Sequence, residues 1–309
     1  MKSGSLQYNK QRGFILLSVM ISVTLLLTSA MAFAWFARTE AKKAETESLI
    51  LKARSAAEIA CTIAAEKIAK DKNGYDSRTE ILYSPNIPTR IALGDYTVAF
   101  NIEPLDNKIP LKGLFLPDGV TVRTEYEDAW NSIWNTIKQP DLAVLVLDFM
   151  DSDSKQKLGG SERADNINRL VSDLTELKLI PEVTDDILYG KKEAPLSLNT
   201  YLTVYGREKI NINVASPSVL AILDIRIGES VAQNIAAARL TAPLKSVDDL
   251  KKVPGFPAAV ATKRANIWGF ESSYFRVLMK VSDKSKRERN YSIILQRSGA
   301  SCKIVRWEE

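Results

Sequence analysis

The chain opens with a long apolar run that extends from Phe14 to Ala37 and contains no charged residue. At about 1.5 Å per helical residue, these 24 residues would span roughly 36 Å, which is enough to cross a bilayer. Lys10 and Arg12 precede the run, so the positive-inside rule predicts a cytoplasmic N-terminus and an exported remainder. A cleaved signal peptide is the alternative, because "AMAFA" at 30–34 offers cleavage sites flanked by small residues.

The helical pattern continues beyond the apolar run. No proline or glycine occurs from Phe14 to Asn73, and Gly74 is a natural helix end. Small and apolar residues recur at three- and four-residue steps in the second part, so they share one helix face; these residues are Ile50, Ala53, Ala57, Cys61, Ala64 and Ile68. We therefore predict one helix with a transmembrane half at 14–37 and an amphipathic half at 38–73 that packs on a folded domain.

Apolar and polar residues alternate with a period of two after this helix and again at the C-terminal end. The stretch 90–105 predicts one or two strands, with Gly94-Asp95 as a turn. The stretches "YFRVLMKVSD", "NYSIILQR" and "CKIVRWEE" predict three antiparallel strands. Together these segments indicate a sheet built from 74–108 and 270–309, on which the stripe of the N-terminal helix packs.

The segment between the two parts of the sheet contains a diverged internal repeat. "DNKIPLKGLFLP" at 106–117 parallels "REKININVASPS" at 207–218, and "DLTELKLIPEV" parallels "SVDDLKKVPGF". We predict an inserted α-helical domain at 109–269, made of two SAM-like, helix-hairpin-helix modules at about 109–205 and 206–269. The predicted fold class is α+β, with a long N-terminal helix packed on an antiparallel sheet and a large all-α insert.

Composition narrows the chemistry that the chain can perform. The 309 residues are 45% hydrophobic, which is enough to bury a core. Most of the net charge of +5 comes from basic residues before the apolar run, so the remainder gives no argument for a nucleic-acid surface. The chain has no histidine, which excludes His-bearing zinc sites and His-dependent catalysis. No pattern indicates an activated nucleophile or a paired acid and base, so we do not expect an enzyme.

The two cysteines are far apart in sequence and match no zinc-binding spacing. Cys61 lies on the helix stripe and Cys302 precedes the last predicted strand, so packing of the helix on the sheet could bring them together. They are a candidate disulfide if the chain is exported. Two separate buried thiols are the alternative, because burial is common for cysteine.

The second module carries a helix-hairpin-helix signature, "LKKVPGFPAAVATKR". Such hairpins can hold DNA phosphates through the backbone N–H groups of a Gly-apolar-Gly turn. Only Gly255 of the two glycines is present, and Pro257 at the second position has no N–H to donate. Three cations, Lys252, Lys263 and Arg264, could touch phosphate, but such charges are usually a solvated face. We therefore interpret the modules as packing units.

The acidic stretch "LDFMDSDSKQKLGGSE" is a candidate metal site. Asp151, Asp153 and Glu162 occupy the first, third and twelfth positions of a twelve-residue calcium-loop template, which supplies hard oxygen ligands. Lys155 departs from the template at the fifth position, and Gln156 replaces the turn glycine. Helix caps and a solvated loop are the alternative interpretation.

The N-terminal segment resembles a known class of processed precursors. A short basic leader that ends in "QRG", followed by a phenylalanine and a long apolar helix, is similar to type IV prepilins and the pseudopilins of type II secretion. In that family a prepilin peptidase cuts after the glycine and methylates the new amino group. The resemblance implies a leader at 1–13, cleavage between Gly13 and Phe14, and N-methylation of Phe14.

One position departs from most members of that family. The fifth mature residue, which is usually glutamate, is here Ser18. The K-type minor pseudopilins share this substitution and are unusually large, and "YLTVYGREKININVASPSVLAIL" and "PLKSVDDLKKVPGF" also resemble them. Their acidic run is similar as well, which adds Asp148 to Asp151, Asp153 and Glu162 as candidate Ca²⁺ ligands.

The resemblance implies a role in protein secretion. The chain would lie at the tip of the type II secretion pseudopilus and would initiate or cap its assembly for export across the outer membrane. Implied partners are the minor pseudopilins of the I and J types, the prepilin peptidase, the inner membrane and secreted substrates, whereas nucleic acid is not expected. The chain would be a single-pass inner-membrane protein with a cytoplasmic N-terminus and a periplasmic C-terminal domain. The alternative is an exported, membrane-anchored DNA-handling protein, as in a competence pseudopilus.

Overall fold

The computed structural model describes residues 5–193 and 195–309, with the backbone alone for residues 5–13. The first four residues of the predicted leader therefore lie outside the described residues, as does Ala194. The chain divides into two compact units, of which the first ends at Ala56 and the second is Ala57–Glu309. Each unit is described by itself.

The described residues form both helices and strands. The helices are α1 Ser5–Lys70, α2 Leu111–Leu114, α3 Thr124–Thr136, α4 Leu142–Met150, α5 Asp185–Tyr189, α6 Leu198–Tyr201, α7 Pro217–Ile222, α8 Gly228–Thr241, α9 Val247–Lys251 and α10 Ala258–Lys263. The strands are β1 Thr89–Leu93, β2 Tyr96–Pro104, β3 Ile109–Pro110, β4 Leu202–Thr203, β5 Ile210–Asn211, β6 Trp268–Gly269, β7 Tyr274–Asp283, β8 Glu288–Ser298 and β9 Ser301–Glu308. Two short 3₁₀ segments, Ile81–Tyr83 and Leu174–Leu179, complete the secondary structure.

A single helix, α1, accounts for the N-terminal part of the chain, as the lack of proline and glycine predicts. It ends at Lys70, shortly before the predicted end at Asn73. Lys67 and Lys70 lie in its last turn, where positive charge interacts favourably with the carbonyl end of the helix dipole. The part of the predicted stripe that belongs to the second unit is buried there, at Ala57, Cys61, Ala64 and Ile68.

The second unit contains a five-stranded antiparallel sheet in the order β1-β2-β7-β8-β9. β1 and β2 form the predicted hairpin around Gly94-Asp95, and β7, β8 and β9 are the three predicted C-terminal strands. One face of the sheet is buried at every second residue, because strand side chains alternate between faces; the buried residues of β2 and β7 include Val98, Phe100, Ile102, Phe275, Val277 and Met279. The predicted combination of a long helix, an antiparallel sheet and a helical insert is confirmed.

The insert leaves and rejoins the sheet at one place. β2 pairs with β7 along its whole length, so that Pro104, the last residue before the insert, lies opposite Phe275. The insert has its own core, whose large buried side chains include Tyr126, Trp130, Trp134, Tyr201 and Trp268. The sheet and the insert therefore each bury an apolar interior. The strand that leads into the insert and the strand that follows it are neighbours in the sheet.

Two short ladders close the insert, which is otherwise helical. β3 pairs in parallel with β4, and β5 pairs in parallel with β6. The first ladder pairs Ile109, at the beginning of one repeat copy, with Leu202. The second pairs Ile210, at the beginning of the other copy, with Trp268. Each partner lies about one module later in the chain. Strands of two residues are too short to give a periodic signal in sequence. The module bounds of about 109–205 and 206–269 stay a prediction.

A buried polar network lies where the insert connects to the sheet. Arg297 on β8 binds Asp76 through two nitrogens, with Nη1–Oδ1 at 3.2 Å and Nη2–Oδ2 at 2.6 Å. Asn211 donates its side-chain Nδ2 to the Asp76 carbonyl oxygen at 3.0 Å and to Ser272 Oγ at 2.9 Å. Because all these polar groups find partners, their burial does not leave desolvated atoms unpaired.

Asp106, the second carboxylate of the network, has no cationic side chain in direct contact. Its Oδ2 accepts the backbone N–H groups of Ser273 and Tyr274, each at 2.8 Å. Burial raises the pKa of the Asp106 carboxyl to about 7, and the negative charge of Asp76 acts in the same direction. The two N–H groups and Arg297 oppose this shift without cancelling it.

Replacing Asp106 by asparagine should weaken the pH dependence of stability between about pH 4 and pH 7. With a pKa of about 7, the folded chain holds a proton that the unfolded chain releases near pH 4. The stability due to this proton is fully present below about pH 4 and is lost as the pH rises through about 7. Asparagine has no such proton, so the pH-dependent loss, up to about 4 kcal/mol, should disappear.

The measurement is urea unfolding of the full-length chain in detergent at a series of pH values. Asp165→Asn is the matched control, because Asp165 is an exposed carboxylate of the same compact unit. The control should keep the wild-type pH dependence. An unchanged pH dependence in Asp106→Asn would show that Asp106 ionises with its ordinary pKa.

Candidate functional site

The apolar half of α1 has the strongest functional signature among the described residues. Its side chains from Phe14 to Phe36 are exposed, and the exposed fraction of Phe14 is 73%. Its most apolar window has a mean hydropathy of 2.3. A continuous apolar surface of this size marks a membrane or a protein interface. By length and composition α1 can cross a membrane.

Four hydroxyl groups in this half of α1, those of Ser18, Ser22, Thr24 and Thr28, bond to their own helix. Ser18 Oγ donates to the Phe14 and Ile15 carbonyl oxygens, both at 3.0 Å. Ser22 Oγ donates to the Ser18 carbonyl oxygen at 2.9 Å, and Thr28 Oγ1 donates to the Thr24 carbonyl oxygen at 2.9 Å. Hydrocarbon offers no other hydrogen-bond partner, so internal bonding lets these residues enter an apolar medium at low cost.

The predicted processing position lies inside α1. The backbone of Gly13 and Phe14 is helical, and side chains are described from Phe14 onward. Ser18, the fifth residue from Phe14, needs no neighbouring chain to satisfy its hydroxyl group. Cleavage after Gly13, methylation of Phe14 and the significance of Ser18 stay predictions.

The acidic loop after α4 brings together only part of the predicted calcium ligands. Asp148 and Asp151 are both fully buried, and both lie against the ammonium group of Lys157. Asp153 Oδ1 instead accepts the backbone N–H of Lys155 at 3.0 Å, as in a turn. Glu162 Oε2 is buried without a hydrogen-bond partner. The four residues therefore do not converge on one position.

The loop does not fit a calcium ion in this arrangement. Within residues 5–193 and 195–309, no three carboxylate or thiol side chains form a group that could hold a metal ion. The Lys157 Nζ lies 3.9 Å from Asp148 Oδ1 and contacts Asp151 Oδ2 directly. An ammonium group next to both buried carboxylates would repel a divalent cation. The calcium-loop template does not indicate the role of Lys157, because such a template specifies the positions of the ligands and not the charges of the residues between them.

The two cysteines lie in the second unit, and both thiols are free. Burial raises the pKa of the Cys61 thiol to about 11, and the negative charges of Cys302 and Glu58 contribute in the same direction. A Cys61–Cys302 disulfide in an oxidising compartment stays a prediction.

The helix-hairpin-helix turn lacks the geometry of a phosphate site. Gly255 has φ of 77°, a left-handed conformation that glycine adopts without strain. Pro257 precedes α10 as its N-cap residue and offers no N–H. Lys252, one of the three cations considered for phosphate contact, binds Asp249 Oδ1 through Nζ at 3.0 Å.

Arg264, the cation at the end of α10, is fully buried. Its Nε donates to Asp224 Oδ2 at 2.8 Å, and its Nη2 donates to Asp128 Oδ2 at 2.5 Å. Its Nη1 donates to the carbonyl oxygen of Glu125 on α3. The prediction that Arg264 could touch phosphate is wrong, because the guanidinium group is used inside the insert. It joins the second module to α3 of the first.

Comparisons with known proteins agree with this architecture. The helix-hairpin-helix motif family matches residues 206–266, which is the second module. No curated protein sequence is significantly similar to the chain. A chain in the crystal structure of the GspK-GspI-GspJ complex from the enterotoxigenic Escherichia coli type 2 secretion system is similar in structure, with a TM-score of 0.60 and 13% sequence identity. The similarity covers 86% of this chain and 98% of that chain. The resemblance to the K-type minor pseudopilin is therefore confirmed at the level of the fold: a long N-terminal helix, an antiparallel sheet and a helical insert between its strands.

Proposed function

We propose that the chain is a minor pseudopilin of the K type that forms part of the tip of a type II secretion pseudopilus. The observation that carries this proposal is the structural similarity to a chain of the GspK-GspI-GspJ complex, which covers 86% of this chain and therefore extends beyond the helix and sheet. The insert matters because it distinguishes this architecture from a helix and sheet alone. A structural role accounts for the apolar helix, the sheet and the insert without a catalytic centre.

The geometry suggests how such a subunit works. After cleavage, the apolar half of α1 would leave the bilayer by packing against equivalent helices of partner subunits, which bury its exposed side chains. The insert extends the sheet domain by a second core. A subunit with this extra bulk fits the end of a helical assembly better than its shaft, where neighbours stack on both sides. The chain would therefore initiate or cap assembly for protein export across the outer membrane.

The proposed partners follow from the same role. Minor pseudopilins of the I and J types would contact the chain at the tip, and the prepilin peptidase would process it in the inner membrane. Secreted substrates would meet the tip. Basic residues before Phe14 favour a cytoplasmic N-terminus, so the second unit would be periplasmic.

The second candidate function, DNA handling in a competence pseudopilus, gains little from the structure. The residues that match the helix-hairpin-helix motif, 206–266, serve as a packing unit of the insert. Arg264 is buried, Lys252 is paired with Asp249, and Pro257 removes a donor from the turn. We therefore favour secretion.

The mass and N-terminal sequence of the mature protein from its native membrane test the proposed function. A chain that begins at methylated Phe14 is expected. A chain that begins near Phe33 or Trp35 would identify an ordinary secreted protein cleaved at "AMAFA". An intact Met1 would identify a simple membrane anchor. Either of the last two results would remove the prepilin assignment.

Replacing Ser18 by glutamate should reduce both export and copurification with the I- and J-type pseudopilins. Glutamate would place a carboxylate in the apolar half of α1, where a charge without a partner is costly. Ser18→Ala is the matched control and should behave like the wild type, because the hydroxyl group bonds only to its own helix. Normal assembly of Ser18→Glu would show that the tip position does not require the absence of this carboxylate.

A further inference from the structure

We propose that the Lys157 ammonium group takes the place of a divalent cation in the acidic loop, so that the insert is held together without calcium. This inference is independent of the secretion role. It rests on the positions of Asp148, Asp151 and Lys157, which the calcium-loop template does not explain.

Lys157 is the cation that the described residues place beside the two carboxylates of Asp148 and Asp151. Asp151 is fully buried, and neither of its carboxylate oxygens has a hydrogen-bond partner among the described residues. The Lys157 Nζ forms an ion pair with Asp151 Oδ2 and a longer one with Asp148 Oδ1, and within the described part of the chain it has no hydrogen-bond partner. A buried carboxylate without a counter-charge is strongly unfavourable, so this ion pair is what permits Asp151 to be buried.

The backbone of Lys157 holds the second carboxylate. Its N–H lies 3.1 Å from Asp148 Oδ1 and 3.2 Å from Asp148 Oδ2, while its Nζ lies 3.9 Å from Oδ1. Gly160 passes so close to Asp148 that a Cβ at this position would overlap its carboxylate. The loop is thus wound around Asp148, with one lysine providing both an N–H donor and a positive charge.

The position of Lys157 in the loop explains how its side chain reaches Asp148 and Asp151. Lys157 is the seventh residue of the twelve-residue template that begins at Asp151. In a calcium loop the seventh residue binds the ion through its carbonyl oxygen, so its backbone passes beside the ion. Here the side chain from this residue reaches back to the two carboxylates and remains 25% exposed. A flexible lysine chain can place its charge in this way while its stem stays at the surface.

The same loop retains unpaired oxygen atoms. Glu162 Oε2 and Asn168 Oδ1 are buried without hydrogen-bond partners, in addition to the oxygens of Asp151. Oxygens of this kind are the ligands that Ca²⁺ prefers. Removal of the ammonium charge should leave Asp148 and Asp151 without a counter-charge, so that added Ca²⁺ stabilises the loop of the variant although it does not stabilise that of the wild type.

The test compares two lysines of one loop in the full-length chain in detergent. Thermal unfolding is followed by tryptophan fluorescence in EDTA and in about 2 mM Ca²⁺, which exceeds the dissociation constants of weak extracellular sites. Lys157→Met removes the proposed counter-ion. Lys155→Met is the matched control, because Lys155 is two residues away and exposed. Wild type and Lys155→Met should have the same midpoint in both buffers.

The expected result for Lys157→Met is a midpoint lower by at least about 5 °C in EDTA, with partial recovery in Ca²⁺. A wild-type midpoint that falls in EDTA and returns with Ca²⁺ would overturn the proposal, because the loop would then hold the metal despite the lysine. A Lys157→Met variant that behaves like Lys155→Met would overturn it as well.

A double variant covers the case in which Lys157→Met does not fold. Asp151→Asn together with Lys157→Met removes both charges, so the chain should fold and should be insensitive to Ca²⁺. Failure of this double variant to fold better than Lys157→Met would show that the lysine acts by packing and not by charge, which also contradicts the proposal.

Discussion

Replacing Gly13 by alanine should leave the chain as an uncleaved, membrane-bound precursor and should abolish secretion. The backbone is helical through Gly13 and Phe14, so the helix must open locally before a peptidase can reach the bond between them. Glycine destabilises a helix interior by about 1 kcal/mol relative to alanine, which favours opening at this point. Alanine strengthens the helix and adds a methyl group next to the bond that is cut. Intact mass and N-terminal sequencing of the membrane fraction measure the effect.

Gly4→Ala is the matched control for this experiment. Gly4 lies in the same predicted leader but away from the proposed cut, so the variant should be processed like the wild type. A loss of processing in both variants would point to recognition of the whole leader. Normal removal of the leader from Gly13→Ala would contradict the prepilin assignment, and with it the proposed function.

Replacing Arg264 by methionine should destabilise the insert by about 3–5 kcal/mol, the range found when one partner of a buried ion pair is removed. Arg264 is fully buried and bonds Asp224, Asp128 and the Glu125 carbonyl oxygen. Methionine fills similar volume but leaves Asp224 and the carbonyl oxygen without this donor. We expect the lower end of the range, because Arg226 also binds Asp224 and lowers its pKa.

Arg226→Met provides the matched control, since Arg226 shares the partner Asp224 but is 44% exposed. Exposed ion pairs contribute about 0–1 kcal/mol, so the control should unfold near the wild-type midpoint. Denaturant unfolding followed by tryptophan fluorescence separates the two, because Trp134 and Trp268 lie in the core of the insert. Equal decreases in the free energy of unfolding for both variants would show that the buried ion pair of Arg264 stabilises the insert no more than an exposed ion pair does.

The fold follows largely from patterns that are local in sequence. The long helix is specified by the absence of proline and glycine, and the three C-terminal strands by alternation and turns. The repeat of Ile109 and its surroundings at Ile210 predicts two modules, because related sequences fold alike. The two-residue ladders were not foreseen, since short pairings depend on residues far apart in the chain.

The candidate sites were less predictable, because charge pairing depends on three-dimensional neighbours. Arg264 has the sequence context of a solvated helix end, yet its partners lie on α3 and after α7. Lys157 follows Lys155 and Gln156 in the loop, and no sequence pattern marks it as the partner of two carboxylates. No sequence pattern indicated a role for Asp106, although a carboxylate just before a repeat boundary could have suggested a junction between the sheet and the insert.

The adjacency of Pro104 and Phe275 has a consequence for how such subunits diversify. Topologically, the whole insert is the loop of one hairpin, so the strands on either side constrain only the distance between its two ends. Loops of this kind tolerate large changes in length, because the entropy of closing them grows slowly with size. Lineages could therefore enlarge, exchange or discard the insert while the underlying sheet kept its register, and the width of a subunit could evolve separately from its ability to join a fibre.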